Sequence, residues 1–236
     1  MALFGSLHLT LLALIVALGI GLSALVRRYT GAARPVRLML GYALAVNELI
    51  WWAFRYSHEG FRFPANLPLQ LCDATVWAAV LALLTLAPEI VEFAYFAGLA
   101  GAGMALLTPN LWAPWPEYPA IYFFLAHGGI VIGVAVLVYG RIAPLRNGAV
   151  WRAFGMLLAY AAVVGTFNAI FKTNYMFLRE KPGHASLLDM LGPWPWYLAA
   201  GAAVALALFW ILWLPAQPGA FYSPETGAEE AAAPKD

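Results

Sequence analysis

A single cysteine, Cys72, stands beside a carboxylate, Asp73, in the stretch PANLPLQLCDATVW, residues 64–77. A thiol attacks an ester carbonyl once its proton is removed, a task for a nearby histidine, a cation or a helix N-terminus. Asp73 alongside opposes the thiolate and better suits orienting a histidine. His127, in FFLAHGG, lies inside an apolar run and is the candidate base. Glu48 is a second carboxyl group able to orient it. Asn110, Asn168 and Asn174 carry amide N–H groups of the kind that stabilise a developing oxyanion, a role worth about 3 kcal/mol where the geometry is right. Gln70, Lys172 and Tyr175 complete the polar set expected to line a substrate pocket.

Each of these residues also has an ordinary role. A lone membrane cysteine is commonly a small apolar filler, and a histidine within a span commonly bonds a neighbouring helix. Glu48 and Arg55 are seven residues apart and share a helical stripe, so Glu48 is expected to pair with Arg55 or with a neighbouring helix. His8 reads as interfacial, and His58 and His184 as solvated loop residues. No zinc-ligand spacing, P-loop, G-x-S-x-G or G-x-G-x-x-G is present, so neither a metal nor a cofactor is expected.

The elements that must position these groups are membrane helices. Of 236 residues, 63% are hydrophobic and 11% charged, and the mean hydropathy is +0.76; a soluble domain carries roughly 25% charge. A net charge of +1 argues against a nucleic-acid surface or a polybasic lipid-steering patch. With one cysteine there is no internal disulfide. The amino-terminal apolar run lacks a basic region before it and is long for a signal peptide, so it is expected to remain as a first span.

Apolar runs predict an all-α, polytopic membrane protein of about seven transmembrane helices, near 5–26, 36–56, 69–87, 89–107, 119–140, 150–171 and 194–214. Residues 1–215 are expected to form one transmembrane domain, and the acidic, Pro-rich segment 216–236 a disordered cytoplasmic tail. Eight basic residues fall on one side of this frame (Arg27, Arg28, Arg34, Arg37, Arg141, Arg146, Arg152, Lys235) and five on the other. The first loop holds four of the eight, which predicts N-out, C-in. His8, Glu48, Gln70, Cys72, Asp73, Asn110, His127, Asn168 and Lys172 then all gather at the opposite, outer end. Ionisable groups at membrane depth mark function or a buried partner.

The blocks NLPLQLCDA, AYFAGLAGAGMALLTPNL, FFLAHGGIVI and FKTNYMFLREKP through SLLDMLGPWPWY, in this order between about residues 66 and 197, resemble the YwaF-like bacterial integral membrane proteins. TNYMFL and LGPWPWY are the most specific of them. The resemblance extends to a eukaryotic relative, transmembrane protein 164, a cysteine-dependent acyltransferase that remodels ether phospholipids, whose nucleophile matches Cys72. Many bacterial relatives read LPLHLC where this chain has Gln70, which leaves His127 as the candidate base. The resemblance implies a multi-pass protein of the bacterial cytoplasmic membrane, acting as a lipid acyltransferase or acyl hydrolase at one leaflet, with membrane lipids as partners. A small-solute or proton carrier and a non-catalytic scaffold are the competing classes. A carrier favours midplane sites in paired repeats, and no internal repeat is found here.

Overall fold

A computed structural model describes residues 2–111, 113–183 and 186–217. His184 and residues 218–236, most of the expected tail, lie outside them. All regular structure among the described residues is helical. The α-helices are α1 (Ser6–Arg28), α2 (Ala33–Glu59), α3 (Leu71–Thr85), α4 (Pro88–Phe93), α5 (Leu99–Leu107), α6 (Tyr118–Val138), α7 (Ala149–Phe171) and α8 (Trp196–Trp213). A π-helical turn, Ala94–Gly98, joins α4 to α5, so residues 88–107 form one rod.

Five of these elements are long and apolar enough to cross a membrane: α1, the 88–107 rod, α6, α7 and the α8 segment to Ala216. The expected second and third spans differ in kind. α2 is long but carries Arg34, Arg37, Glu48 and Arg55, and α3 is apolar but has only 15 residues. The membrane character of the chain therefore rests on the five.

Local chemistry sets the boundaries. α3 stops at Leu86, in the left-handed region (φ 59°), and Pro88 opens α4 at its first position, where the missing N–H costs nothing. α7 begins after Gly148 (φ 80°). Arg37 of α2 donates through Nη1 to the carbonyls of Leu83 and Leu84, closing the C-terminal turn of α3.

α6 is the hub. It packs against α1, α2, α3, α5 and the π turn, and two thirds of its spanning stretch is buried, against 11% for α8. α7 and α8 form a second layer over α4 and the π turn. The outward faces carry Leu14, Ile20, Tyr42, Val163, Ile170 and Ile211, as expected of helices surrounded by hydrocarbon.

One end of the bundle is tied by charge. Glu92 is 1% exposed, and its carboxylate accepts paired hydrogen bonds of 2.8–3.1 Å from both Arg146 and Arg152. Glu89 pairs with the same Arg146 at 2.9 Å. Bonding to Glu92 and Glu89 raises the Arg146 pKa above its ordinary value, so the guanidinium stays charged. Two forked guanidiniums on one buried carboxylate pin the α6–α7 loop and the first turn of α7 to α4. Glu92→Gln removes the charge that both guanidiniums bond and should lower the thermal midpoint in detergent by several degrees. The exposed Glu89→Gln should move it by about a degree or less.

Candidate functional site

The opposite end holds the neutral polar groups. The Asp73 carboxylate accepts from the Gln70 backbone N–H at 3.0 Å, satisfying a donor at the start of α3. Its principal contact is thus a cap. Cys72 is the second residue of α3, partly exposed and in the free thiol form. A helix N-terminus favours negative charge at that position. Asp73 and Glu48 lie within electrostatic reach of Cys72, as do the phenols of Tyr122 and Tyr160.

Glu48 is fully buried. Trp52 Nε1–H donates to one carboxyl oxygen at 2.8 Å and the Tyr122 hydroxyl to the other at 2.7 Å. Trp51 stacks on Tyr122 with centroids 4.2 Å apart and planes 9° from parallel. These contacts offset the desolvation of a carboxyl group and fasten α2 to α6. Of the two partners expected for Glu48, the neighbouring helix supplies one, Tyr122, and Arg55 does not. Arg55 turns outward to Glu59 at 3.1 Å and lies over the Trp51 and Trp52 rings, because the tryptophans on its own helix and exposed Glu59 are within easier reach than a sealed carboxyl.

His127 is 7% exposed. Its Nδ1 lies 2.8 Å from the Phe123 carbonyl, an acceptor, so Nδ1 carries the proton. The neutral ring then presents Nε2 as a lone pair, the tautomer a general base needs. Phe123 covers one face of the imidazole at 4.3 Å. Phe123 supplies the sole hydrogen bond His127 makes among the described residues, so neither Asp73 nor Glu48 orients it; its own helix does. α6, which carries it, packs directly against α3, which carries Cys72.

The remaining expected pocket residues build a lock between two loops. Asn168 is fully buried; its Oδ1 accepts from Tyr175 N–H (2.9 Å) and Thr173 Oγ1 (2.8 Å), and its Nδ2 donates to Tyr175 O (2.9 Å). The Tyr175 hydroxyl donates to Pro64 O at 2.7 Å and accepts from Leu67 N–H at 2.9 Å. Gln70 Oε1 accepts from Met176 N–H at 2.9 Å. Burial raises the Tyr175 pKa, keeping this donor protonated. Asn174 organises the following turn through Glu180 O, Glu180 N and Arg179 N. One N–H of each amide, Asn168 and Asn174, thus goes to a backbone carbonyl. Lys172 is exposed at the left-handed end of α7 (φ 59°), and Asn110 is exposed beyond α5. Gln70, Asn168 and Tyr175 tie the segment before α3 to the segment after α7.

His8 is a structural tie as well. Fully buried, it accepts from Phe4 N–H at 3.0 Å and donates from Nε2 to Leu106 O at 2.8 Å, fixing the start of α1 to the end of α5. Tyr122 and Tyr160 are the residues that pattern reading missed. Both sit in apolar runs, where a tyrosine is indistinguishable from core aromatic. Among the described residues, no three His, Cys, Asp or Glu side chains converge as a metal site would require.

A family model described as the TMEM164 family matches residues 3–213, and the chain belongs to that family. No curated protein matches the chain, and neither does any solved structure.

Tyr175→Phe removes one hydroxyl that serves two backbone groups and should cost about 1–3 kcal/mol. Hydrogen exchange should show segments 62–70 and 173–178 losing protection together, with α1 and α8 unchanged. Loss confined to one segment would contradict the lock.

Proposed function

We propose, taking membership of the TMEM164 family as the premise, that this protein is a cysteine-dependent acyltransferase or acyl hydrolase acting on membrane lipids. Within the family it is of the YwaF-like bacterial kind, and it resides in the cytoplasmic membrane. In this reading α2 and α3 also cross, giving seven passes with the amino terminus outside and the Cys72 end in the outer leaflet. α2 has the length for it, 27 residues or about 40 Å.

One observation carries the reading: His127 has its tautomer fixed by Phe123 and its Nε2 free, on α6, a helix that packs against α3, the helix of Cys72. Cys72 has carboxyl groups rather than cations for neighbours, so a base must take its proton during attack. His127 Nε2 accepts the thiol proton as sulfur bonds to the ester carbonyl carbon. The tetrahedral adduct collapses by breaking the bond to the glycerol oxygen, which receives the proton from the imidazolium. A thioester on Cys72 and a lysolipid result. A hydroxyl-bearing acceptor, or water, then attacks the thioester and the same histidine runs in reverse. Glu48 and Tyr122 act as positioning residues, setting α2 and α6 around the sulfur.

The test is lipid turnover by purified protein in vesicles of phosphatidylethanolamine and phosphatidylglycerol carrying labelled acyl chains. Cys72→Ala should abolish transfer, and His127→Ala should lower the rate by about 10²–10⁴ with little change in KM. Tyr122→Phe, which keeps the ring, should have a far smaller effect. Turnover that survives Cys72→Ala would overturn the assignment.

A further inference from the structure

Three places on the surface of the Cys72 end pair a ring that gains by leaving water with a group that is costly in hydrocarbon. On the loop before α3, Phe61 and Phe63 are each more than half exposed, and Arg62 between them is exposed too. At the end of α7, exposed Phe171 is followed by exposed Lys172. At the start of α8, Trp196 is 70% exposed. Among the described residues its indole N–H has no acceptor, and the side chains of Arg62 and Lys172 make no hydrogen bond or ion pair.

Contacts bring the three to one level. Phe63 meets the Phe171 ring edge-on with centroids 5.1 Å apart. Tyr175, just beyond α7, bonds Pro64 and Leu67 of the same loop. Trp194 Nε1–H donates to Leu178 O at 3.2 Å, and the Tyr197 hydroxyl donates to Phe177 O, which holds the start of α8 to the end of that segment. α7 has 23 residues, about 35 Å of helix, against a hydrocarbon core of about 30 Å. A helix of that length reaches the headgroup layer where it ends.

The chemistry selects the neighbour. Water suits these rings poorly, since each forgoes about 25 cal/mol for every Å² left wet. Hydrocarbon suits a guanidinium, an ammonium and an unpaired indole N–H worse. The layer of glycerol and phosphate serves both: it takes the rings beside its upper acyl carbons and offers anionic oxygens to the cations. The rings also continue strips that face lipid. Val163 and Ile170 lead along α7 to Phe171, and Val204 leads back along α8 to Trp196.

We propose that the loop before α3, the end of α7 and the start of α8 form one surface seated in the phospholipid headgroup layer. Phe61, Phe63, Phe171 and Trp196 lie at the level of glycerol, with Arg62 and Lys172 on phosphate. Gln70, at the end of that loop, bonds Met176 at 2.9 Å, so the surface sets the level at which α3 begins. The placement is argued from α7 and α8 and holds whether or not Cys72 carries an acyl group.

The test uses the full chain with Cys72→Ala, which removes its one native cysteine, in vesicles of phosphatidylethanolamine and phosphatidylglycerol. A nitroxide is attached in turn to Phe61→Cys, Trp196→Cys, Val204→Cys and Glu180→Cys. Power saturation with oxygen and with a water-soluble nickel chelate, calibrated by spin-labelled lipids, reads the depth of each. Labels at 61 and 196 should lie between the phosphate and the first acyl carbons, with 204 deep in hydrocarbon and 180 in water. Arg62→Glu combined with Lys172→Glu should move the label at 61 toward nickel-accessible water. Labels at 61 and 196 as open to nickel as 180, as deep as 204, or shielded from both reagents as under a protein partner, would overturn the proposal. A label at 61 unmoved by the two charge reversals would overturn the role of the cations.

Discussion

Three glycines on α6 set the geometry on which the rest depends. Gly128, Gly129 and Gly133 receive Ile15, Leu44 and Leu83, one side chain from each of α1, α2 and α3. A Cβ at these positions would stand 2.6–2.9 Å from those side chains, closer than packed atoms allow. Apolar attraction cannot align helices that are already in hydrocarbon, so close van der Waals fit must do it. The same helix carries Tyr122 and His127 one and two turns in from its start. Seating α2 and α3 on α6 therefore also brings Glu48 to Tyr122 and α3, with Cys72, against the helix of the histidine.

The two ends of the bundle obey one rule in different ways. Away from water, each polar group must find a partner inside the protein. At the Arg146 end this is done with full charges, two guanidiniums on Glu92. At the Cys72 end it is done with neutral donors: a tyrosine, an indole and several backbone amides. The donors without acceptors there, Asn47 Nδ2 and the Tyr118 hydroxyl, and the free Nε2 of His127 lie toward this second end. A charge-paired end suits anchoring.

Much of this was legible in the sequence. The helical class and most helix positions follow from apolar runs, and the gathering of Glu48, Cys72, Asp73 and His127 at one end follows from counting helices. The partners were not. Glu48 and Arg55 share a stripe, but periodicity cannot say that a tyrosine 74 residues away reaches the carboxyl first. Asn168, Gln70 and Tyr175 look like pocket residues because they are polar at membrane depth. Their work is to satisfy loop backbone, a demand visible only once the loops are folded together. Gly128 and Gly129 seat side chains of α1 and α2, a fit that no single run of residues announces, since it is a property of three helices at once.

The central claim is that Cys72 carries an acyl group and that His127 puts it there. It is tested most directly by incubating purified protein with phospholipid, digesting it and examining the Cys72 peptide by mass spectrometry, with and without hydroxylamine. A hydroxylamine-labile acyl adduct on Cys72, lost in His127→Ala, is the expected result. An unmodified Cys72 across ester-linked and ether-linked phospholipids, in protein that still turns lipid over, would contradict it.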